Sequence, residues 1–463
     1  MKRRSFFKQA TLATLGGTLM LPQNATGFPR DGKGRGRRPE NIIFLVSDGM
    51  SSGTLAMADI FAHKKYGRGS HWLDLYRDNR VKRALMDMAS ASASVTDSAA
   101  ASSSWGGGFR VVNGHLNVGA NGEKYLPIWQ KMKSAGKKAG CVTTVPVTHA
   151  TPAGFCISIK SRSMQEEIAS MYLDLKFDVM MGGGSKYFTR RKDGKNLLQE
   201  YVQQGFQVVE SKKQLETLTS DKPVMALFGE EGLPYELDRI HDKVMEESVP
   251  SLAEMTMRAI DLMKDHKKGF VLQVEGGKVD WAAHANDAPA LLYDQLAFDE
   301  AVRVAIDFAE SDGNTLVVIT TDHGNANPGL YYGSKSDEKF ESLFRYTRTN
   351  DWVLRQTKNT DSVDVLTNRI KEYQGYSINA ENAETLLKSY QVLPEGKEYD
   401  EYKLPFKEYG LFQAEFTNVA FGGMDHTADF SELAMFGPGS ELLPDFIKNT
   451  DLHHYLLKVA GIS

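Results

Sequence analysis

The chain has 463 residues, 41% hydrophobic and 25% charged, with 55 Lys and Arg against 59 Asp and Glu for a formal net charge of −4. This is ordinary globular composition, long enough for a large core or for two domains. The slightly acidic balance argues against a nucleic-acid binder.

The first residues differ from the rest. In MKRRSFFKQATLATLGGTLMLPQ, the basic residues Lys2, Arg3, Arg4 and Lys8 precede an apolar stretch from Ala10 to Leu21. That stretch is too short to cross a bilayer, which takes roughly 20 apolar residues, so no stable membrane span is expected. It fits the core of an export signal, and RRSFFK resembles the twin-arginine type, read by the twin-arginine export machinery. Residues 1–30 are read as this signal peptide, with cleavage between Ala25 and Arg30, which implies an exported protein, periplasmic or extracellular. Residues 31–40 form a basic, glycine-rich connector without apolar periodicity. The folded domain is expected over 41–463.

It opens with NIIFLVSDGM, a continuous apolar run ending in Ser47-Asp48-Gly49. A strand buried on both faces of a parallel sheet reads this way. The run SVTDSAAASSSWGGG, Ser94–Gly108, is crowded with small residues and hydroxyls. By composition it is a flexible linker, but one of its serines could instead be a nucleophile. Further apolar runs recur at KAGCVTTVPV, FDVMMGGG, GFVLQVEGG and NTLVVITTDHG. Between the last two, residues 288–310 carry Leu291, Phe298, Val302, Ala305 and Ala309 as an apolar stripe at helical spacing. Cys141 and Cys156, the only cysteines, read as two small buried residues, with a disulfide as the alternative in an exported protein. The stretch from about 328 to 410 is charged and aromatic with helical patches, and is read as a helical insertion near the site. GGMDHTADFSELAMFG then restores sheet-like sequence. Alternating strands and helices predict an α/β three-layer sandwich around a mostly parallel central sheet.

In such sheets ligands bind beyond the carboxyl ends of the strands. Those ends carry Asp48, Glu275, Asp280 and the pair Asp322-His323. Asp280 and His284 are four apart and share one face of a helical turn, where an acid and an imidazole can grip one zinc ion. Asp322 and His323 can reach a second ion, and MDHTAD supplies His426.

Taken in order, VSDGM, VTDSAA, THATPAGF followed by SR, VEGGKVDWAAH, TTDHG and MDHT resemble the motifs of the alkaline phosphatase family, from Asn41 to about Ile462. The resemblance makes the fold alkaline-phosphatase-like and Ser98 the nucleophile. A helix starting at Ser98 would offer amide donors to a phosphate, and a metal ion beside the hydroxyl would favour the alkoxide. The resemblance further implies two Zn2+ and one Mg2+: Asp280, His284 and His426 for the first zinc, and Asp48, Asp322 and His323 for the second. Asp48 would bridge to a third site completed by Thr151 and Glu275, an all-oxygen set that suits magnesium. Arg162 would clamp two phosphate oxygens with its planar fork. The reaction implied is hydrolysis of phosphate monoesters to an alcohol and inorganic phosphate through a phosphoserine. Family members are often dimers, which leaves a homodimer open.

Around these ligands the chain departs from some family members at His149, Trp281 and Asn325, which leaves the identity of the third metal open. An imidazole at 149 that turned inward would favour zinc over magnesium, and Trp281 could position that ring by stacking. Two other functions remain: a phosphodiesterase of the same superfamily, and a non-catalytic exported protein that binds metal or phosphate. Ser98, Thr151, Glu275 and Arg162 together favour the monoesterase. No cysteine or serine stands in the C/S-x-P-x-R context of a sulfatase.

Overall fold

The computed structural model describes residues 38–390 and 404–462, all within one compact unit, Arg37–Ser463. Residues 1–30, expected to be a signal peptide, and most of the expected connector lie outside the described residues. Among those described, no helix is long and apolar enough to cross a membrane.

The described residues form fourteen strands: β1 Asn41–Ser47, β2 Lys82–Asp87, β3 Lys138–Pro146, β4 Val179–Gly183, β5 Gln207–Val209, β6 Val224–Leu227, β7 Phe270–Gly276, β8 Thr315–Thr320, β9 Gly324–Asn325, β10 Gly329–Leu330, β11 Val419–Ala420, β12 His426–Thr427, β13 Ser431–Phe436 and β14 Phe446–Lys448. Ten of them make one sheet in the order β14-β2-β13-β8-β1-β7-β3-β4-β6-β5. Only β13 runs antiparallel to its neighbours, β2 and β8. The expected apolar runs are its centre, and β1, β7 and β8 are buried along their whole length. Successive side chains of a strand face opposite ways, and β1 divides accordingly. Ile43 and Leu45 join the core that holds the helix Ala288–Asp312. Ile42, Phe44 and Val46 join the core that holds Ala99, Ala101 and Trp105. Helices on both faces make the three layers.

The helix expected over 288–310 begins where the Asp287 side chain accepts the Ala290 N–H, and ends at Gly313 in the left-handed region (φ 67°). Its anticipated stripe is buried. The helical insertion builds a small core of its own around Val353, Leu354, Leu366, Ile370, Leu386 and Tyr409, and its last helix, Phe406–Thr417, continues beyond the expected end at 410. The insertion is tied to the sheet-bearing part by buried carboxylates. Asp238 accepts the N–H of Thr349 at 3.0 Å and its hydroxyl at 2.7 Å, and Asp287 accepts the N–H of Asp351 at 2.9 Å. Cys141 and Cys156 are buried free thiols with their sulfurs 3.6 Å apart.

Candidate metal centre and nucleophile

The site forms where β1, β7 and β8 end side by side. Beyond β1 the chain turns at Gly49, in the left-handed region (φ +67°), where a Cβ would stand 2.4 Å from Asp280 Oδ1. The missing side chain lets the Asp48 turn press against the helix Lys278–His284. The Gly49 N–H donates to Asp322 Oδ1 at 3.0 Å, joining the ends of β1 and β8.

Ser98 is the first residue of the helix Ser98–Gly107, and the preceding Asp97 caps it by accepting the Ala100 N–H. The small residues of this run are packing residues. A Cβ on Gly106 would lie 1.9 Å from the Gly154 carbonyl oxygen, and one on Gly154 would lie 2.2 Å from Ser102 Oγ. The Ser98 helix thus packs backbone to backbone on the helix Ala150–Cys156, which carries Thr151. The linker reading does not hold, because Ser98–Gly107 is buried helix. Ser98 is 1% exposed, and its Oγ lies 3.3 Å from His323 Nε2.

Three groups of acids and imidazoles surround this point: Asp280-His284-His426, Asp48-Asp322-His323 and Asp48-His149-Glu275, the ligand atoms of each lying within 4.8 Å of one another. Each imidazole of the first two groups turns Nδ1 to a backbone carbonyl and Nε2 to the site. His284 faces the Met424 carbonyl at 2.6 Å, His426 that of Thr96 at 3.0 Å, and His323 that of Gly324 at 3.3 Å. Such contacts fix the tautomer and leave Nε2 free to ligate. His323 and His426 stack at 3.7 Å. Asn325 donates to Asp280 Oδ1 at 2.7 Å, and the Thr151 hydroxyl donates to Asp48 Oδ2 at 3.2 Å.

The electrostatics call for cations. Asp48 Oδ1, Asp322 Oδ2, Glu275 Oε1 and His149 Nδ1 are buried without hydrogen-bond partners, which costs folding energy unless something else satisfies them. Burial, and then the charges of Asp322, Asp280 and Glu275, push the Asp48 carboxyl well above its usual range. Burial also acts to raise Asp280, but His284, His323 and His426 outweigh it and hold that carboxyl at about 2. Burial lowers His323, so its ring is held neutral with a lone pair to offer. Carboxylates and imidazoles at these separations fit divalent ions in all three groups.

Arg162 reaches this cluster from one side. Its guanidinium donates to Asp97 Oδ2 at 3.0 Å and to His149 Nε2 at 3.0 Å. Burial works to raise Asp97, yet Arg162 and the amides of Ala100 and Gly114 hold it below its ordinary value. His149 turns inward and joins Asp48 and Glu275 in the third group. Trp281 does not stack on it. The two rings meet edge-on, 6.4 Å apart at 76°, and the Lys278 ammonium lies over the Trp281 ring.

Sequence reasoning passed over two residues that hold this site. Asp97 caps the Ser98 helix and docks Arg162, and an acid directly before a helix-forming run is a capping signal that could have found it. Thr143 donates its hydroxyl to Glu275 Oε2, a contact with no local signal.

The family model for alkaline phosphatase matches residues 39–462. Alkaline phosphatase 4 of Bacillus subtilis is 29% identical over 428 residues, 90% of this chain and 88% of that protein. The alkaline phosphatase of Escherichia coli K12 is 29% identical over 69% of this chain and 77% of its own. The crystal structure of Thermus thermophilus alkaline phosphatase superposes with a TM-score of 0.85 at 30% identity, covering 92% of each chain. The buried serine at a helix start, with the acids and imidazoles gathered around it, therefore belongs to a member of the alkaline phosphatase family, metal-dependent enzymes that hydrolyse phosphate esters.

Proposed function

We propose that the protein is a phosphate monoesterase working through a phosphoserine at Ser98. The observation that carries this is the Ser98 hydroxyl at the capped start of its helix, 3.3 Å from His323 Nε2. Asp280, His284 and His426 would hold one zinc, and Asp48, Asp322 and His323 a second. Asp48, Thr151 and Glu275 would hold a third ion, with His149 beside it. When bound, these ions would supply the positive charge that favours the serine alkoxide and stabilises the leaving oxygen.

The chain's own groups do the rest. The N–H groups opening the Ser98 helix face the phosphoryl oxygens. Arg162, steadied by Asp97, turns its remaining N–H groups to two of them. Ser98 Oγ attacks phosphorus in line and the alcohol departs. Water then enters from the side the alcohol has left and releases phosphate. Positioning and charge stabilisation carry most of the barrier. The N-terminal motif supports export by the twin-arginine route. Turnover of p-nitrophenyl phosphate beside its bis-ester tests the reading. The monoester should be preferred strongly, whereas preference for the bis-ester would mark a diesterase, and turnover of neither a binding protein.

Arg162→Ala should weaken inhibition by inorganic phosphate and lower kcat/KM for monoesters. Loss of one preorganised donor typically costs about a hundred- to a thousandfold, and the cost here should be smaller because the ions also neutralise the phosphoryl group. Diesters carry one charge fewer and should lose less. Equal losses for both substrates in steady-state assays would remove Arg162 as a monoester clamp.

His149 couples this clamp to the third ion. Its Nε2 accepts an Arg162 N–H, so the ring proton sits on Nδ1, which lies 3.7 Å from Glu275 Oε1. A metal bound through Nδ1 needs the opposite tautomer, whose Nε2–H would turn Arg162 away. Zinc suits that nitrogen, whereas magnesium prefers oxygen and water. Protein loaded with excess zinc should therefore be activated only slowly by added magnesium, and His149→Asp should largely abolish the delay. Identical responses of the two proteins would show that His149 does not set third-site selectivity.

A further inference from the structure

We infer that Asn286 is a positioning residue that sets the spacing of His284 and His426, and that the helical insertion braces it. The inference rests on the reading that these two histidines share one zinc.

Asn286 follows the helix Lys278–His284 and is 6% exposed. Its backbone is left-handed, with φ 48°, a conformation that asparagine tolerates better than most residues. With the side-chain amide oriented to suit its neighbours, it donates to the Ala283 carbonyl at 3.1 Å and to the Gly423 carbonyl at 2.8 Å. The first bond closes the helix that ends in His284. The second crosses to the segment that leads into His426. The next carbonyl of that segment, Met424, takes the His284 Nδ1–H at 2.6 Å.

The segment is also held from its other side. Ala326, itself left-handed (φ 55°), donates its N–H to the Asp425 carbonyl at 2.9 Å and accepts the Gly422 N–H at 2.8 Å. Residues 422–425 thus hang between Ala326 and the Asn286 corner. The result is a separation of 3.1 Å between His284 Nε2 and His426 Nε2. Two nitrogens ~2.0–2.1 Å from one tetrahedral ion stand ~3.3 Å apart, so the backbone holds the pair close to a ligating distance.

The insertion presses on the same corner. Gly410, in the helix Phe406–Thr417, lies so close that a Cβ there would stand 2.8 Å from Asn286 Cβ and 2.9 Å from its carbonyl oxygen. The next residue, Asp287, accepts the Asp351 N–H from the insertion at 2.9 Å and the Ala290 N–H at 3.1 Å. Asn286 and Asp287 are therefore both fixed from the insertion side. Asn286 touches neither substrate nor the ion's ligand atoms. It acts through the Gly423 carbonyl.

The test uses metal affinity. Asn286→Asp keeps the volume and tolerates the backbone conformation, but sets a carboxylate against two carbonyl oxygens. Asn286→Gly keeps the backbone and removes the amide, and it carries the test if the aspartate variant fails to fold. Zinc binding to the stripped proteins is measured against a chromophoric chelator, with the visible spectrum of the cobalt(II) forms as a record of ligand geometry and His426→Ala marking the first site. The expected result is one zinc held about tenfold more weakly, at the low end of the effect of groups that orient metal ligands. That zinc should be the one His426→Ala loses, the cobalt bands of that site should change, and the other zinc should bind unchanged. Two zincs bound as in the parent by the Asn286 variants, while His426→Ala has lost one, overturns the inference. Equal weakening of both ions overturns it too, by making Asn286 a general structural residue. If His426→Ala keeps both zincs, the reading of the site falls, and the inference with it.

Discussion

Ser98→Ala is expected to lose monoesterase activity by about a thousandfold or more while keeping its metals, because it removes the attacking atom and none of the proposed ligands. The structure distinguishes Ser98 sharply from its neighbours. Ser102 Oγ donates to the Ser98 and Ala150 carbonyls, Ser103 Oγ to His115, and Ser104 Oγ to Ala100. All three hydroxyls are spent on packing the helix. Ser94 lies exposed on the approach to it. Among these serines only Ser98 turns its hydroxyl to an imidazole of the candidate site, with Oγ 3.3 Å from His323 Nε2. Phosphoenzyme trapped at low pH and mapped by peptide mass should carry its label there. A label on Ser94, Ser102, Ser103 or Ser104, or full activity in the alanine variant, would place the chemistry elsewhere. Residual activity in Ser98→Ala should not reach zero, because the remaining charges still bind and polarise the phosphoryl group.

The centre of the fold was readable because its strands are buried on both faces. β1, β3, β4, β7 and β8 appear as apolar runs. β2 does not, because Lys82, Arg83 and Leu85 are exposed along it. β5 and β14 span three residues each and β6 four, too few to show a period. The acids and histidines were legible for a topological reason, since parallel strands bring their carboxyl ends together. Thr151 and Arg162 came from the family resemblance and not from any local pattern. What holds the site was hidden. Thr143 meets Glu275 because β3 and β7 pair in that register, and Asn286 meets Gly423 across a distance in sequence that no periodicity spans. The expected stacking of Trp281 on His149 is replaced by an edge-on contact, and Lys278, three residues back in the same helix, lies over the Trp281 ring instead.

Stripping the metals should lower the melting temperature by about 10 °C, and the loss should be larger at pH 8 than at pH 5. Asp48, Glu275 and Asp322 are fully buried and Asp280 is 5% exposed, so their charges have little water to screen them. Without cations, burial and the neighbouring acids hold Asp48 well above its ordinary value of 3.8. An acid raised in the folded state keeps its proton longer there than when unfolded. Stability therefore falls as pH climbs from the unfolded value toward the folded one, and the loss is complete above it. Asp280, held at about 2, contributes stability that is lost only as pH falls through that value, below the range compared. His323, lowered by burial, favours higher pH, but it does so with or without metal because a ligating imidazole must also be neutral. The difference between loaded and stripped protein thus follows the carboxylates, and metal binding itself strengthens as its ligands lose protons. Zinc at a thousandfold excess over its dissociation constant stabilises by about 4 kcal/mol per site. Two sites therefore make a shift of about 10 °C reasonable even for a long chain. Melting curves with and without a chelator, at pH 5 and pH 8, decide the matter. Stripped and loaded proteins that melt within about 2 °C of each other, or a gap that narrows as pH rises, would mean that the buried carboxylates are compensated by something other than bound cations.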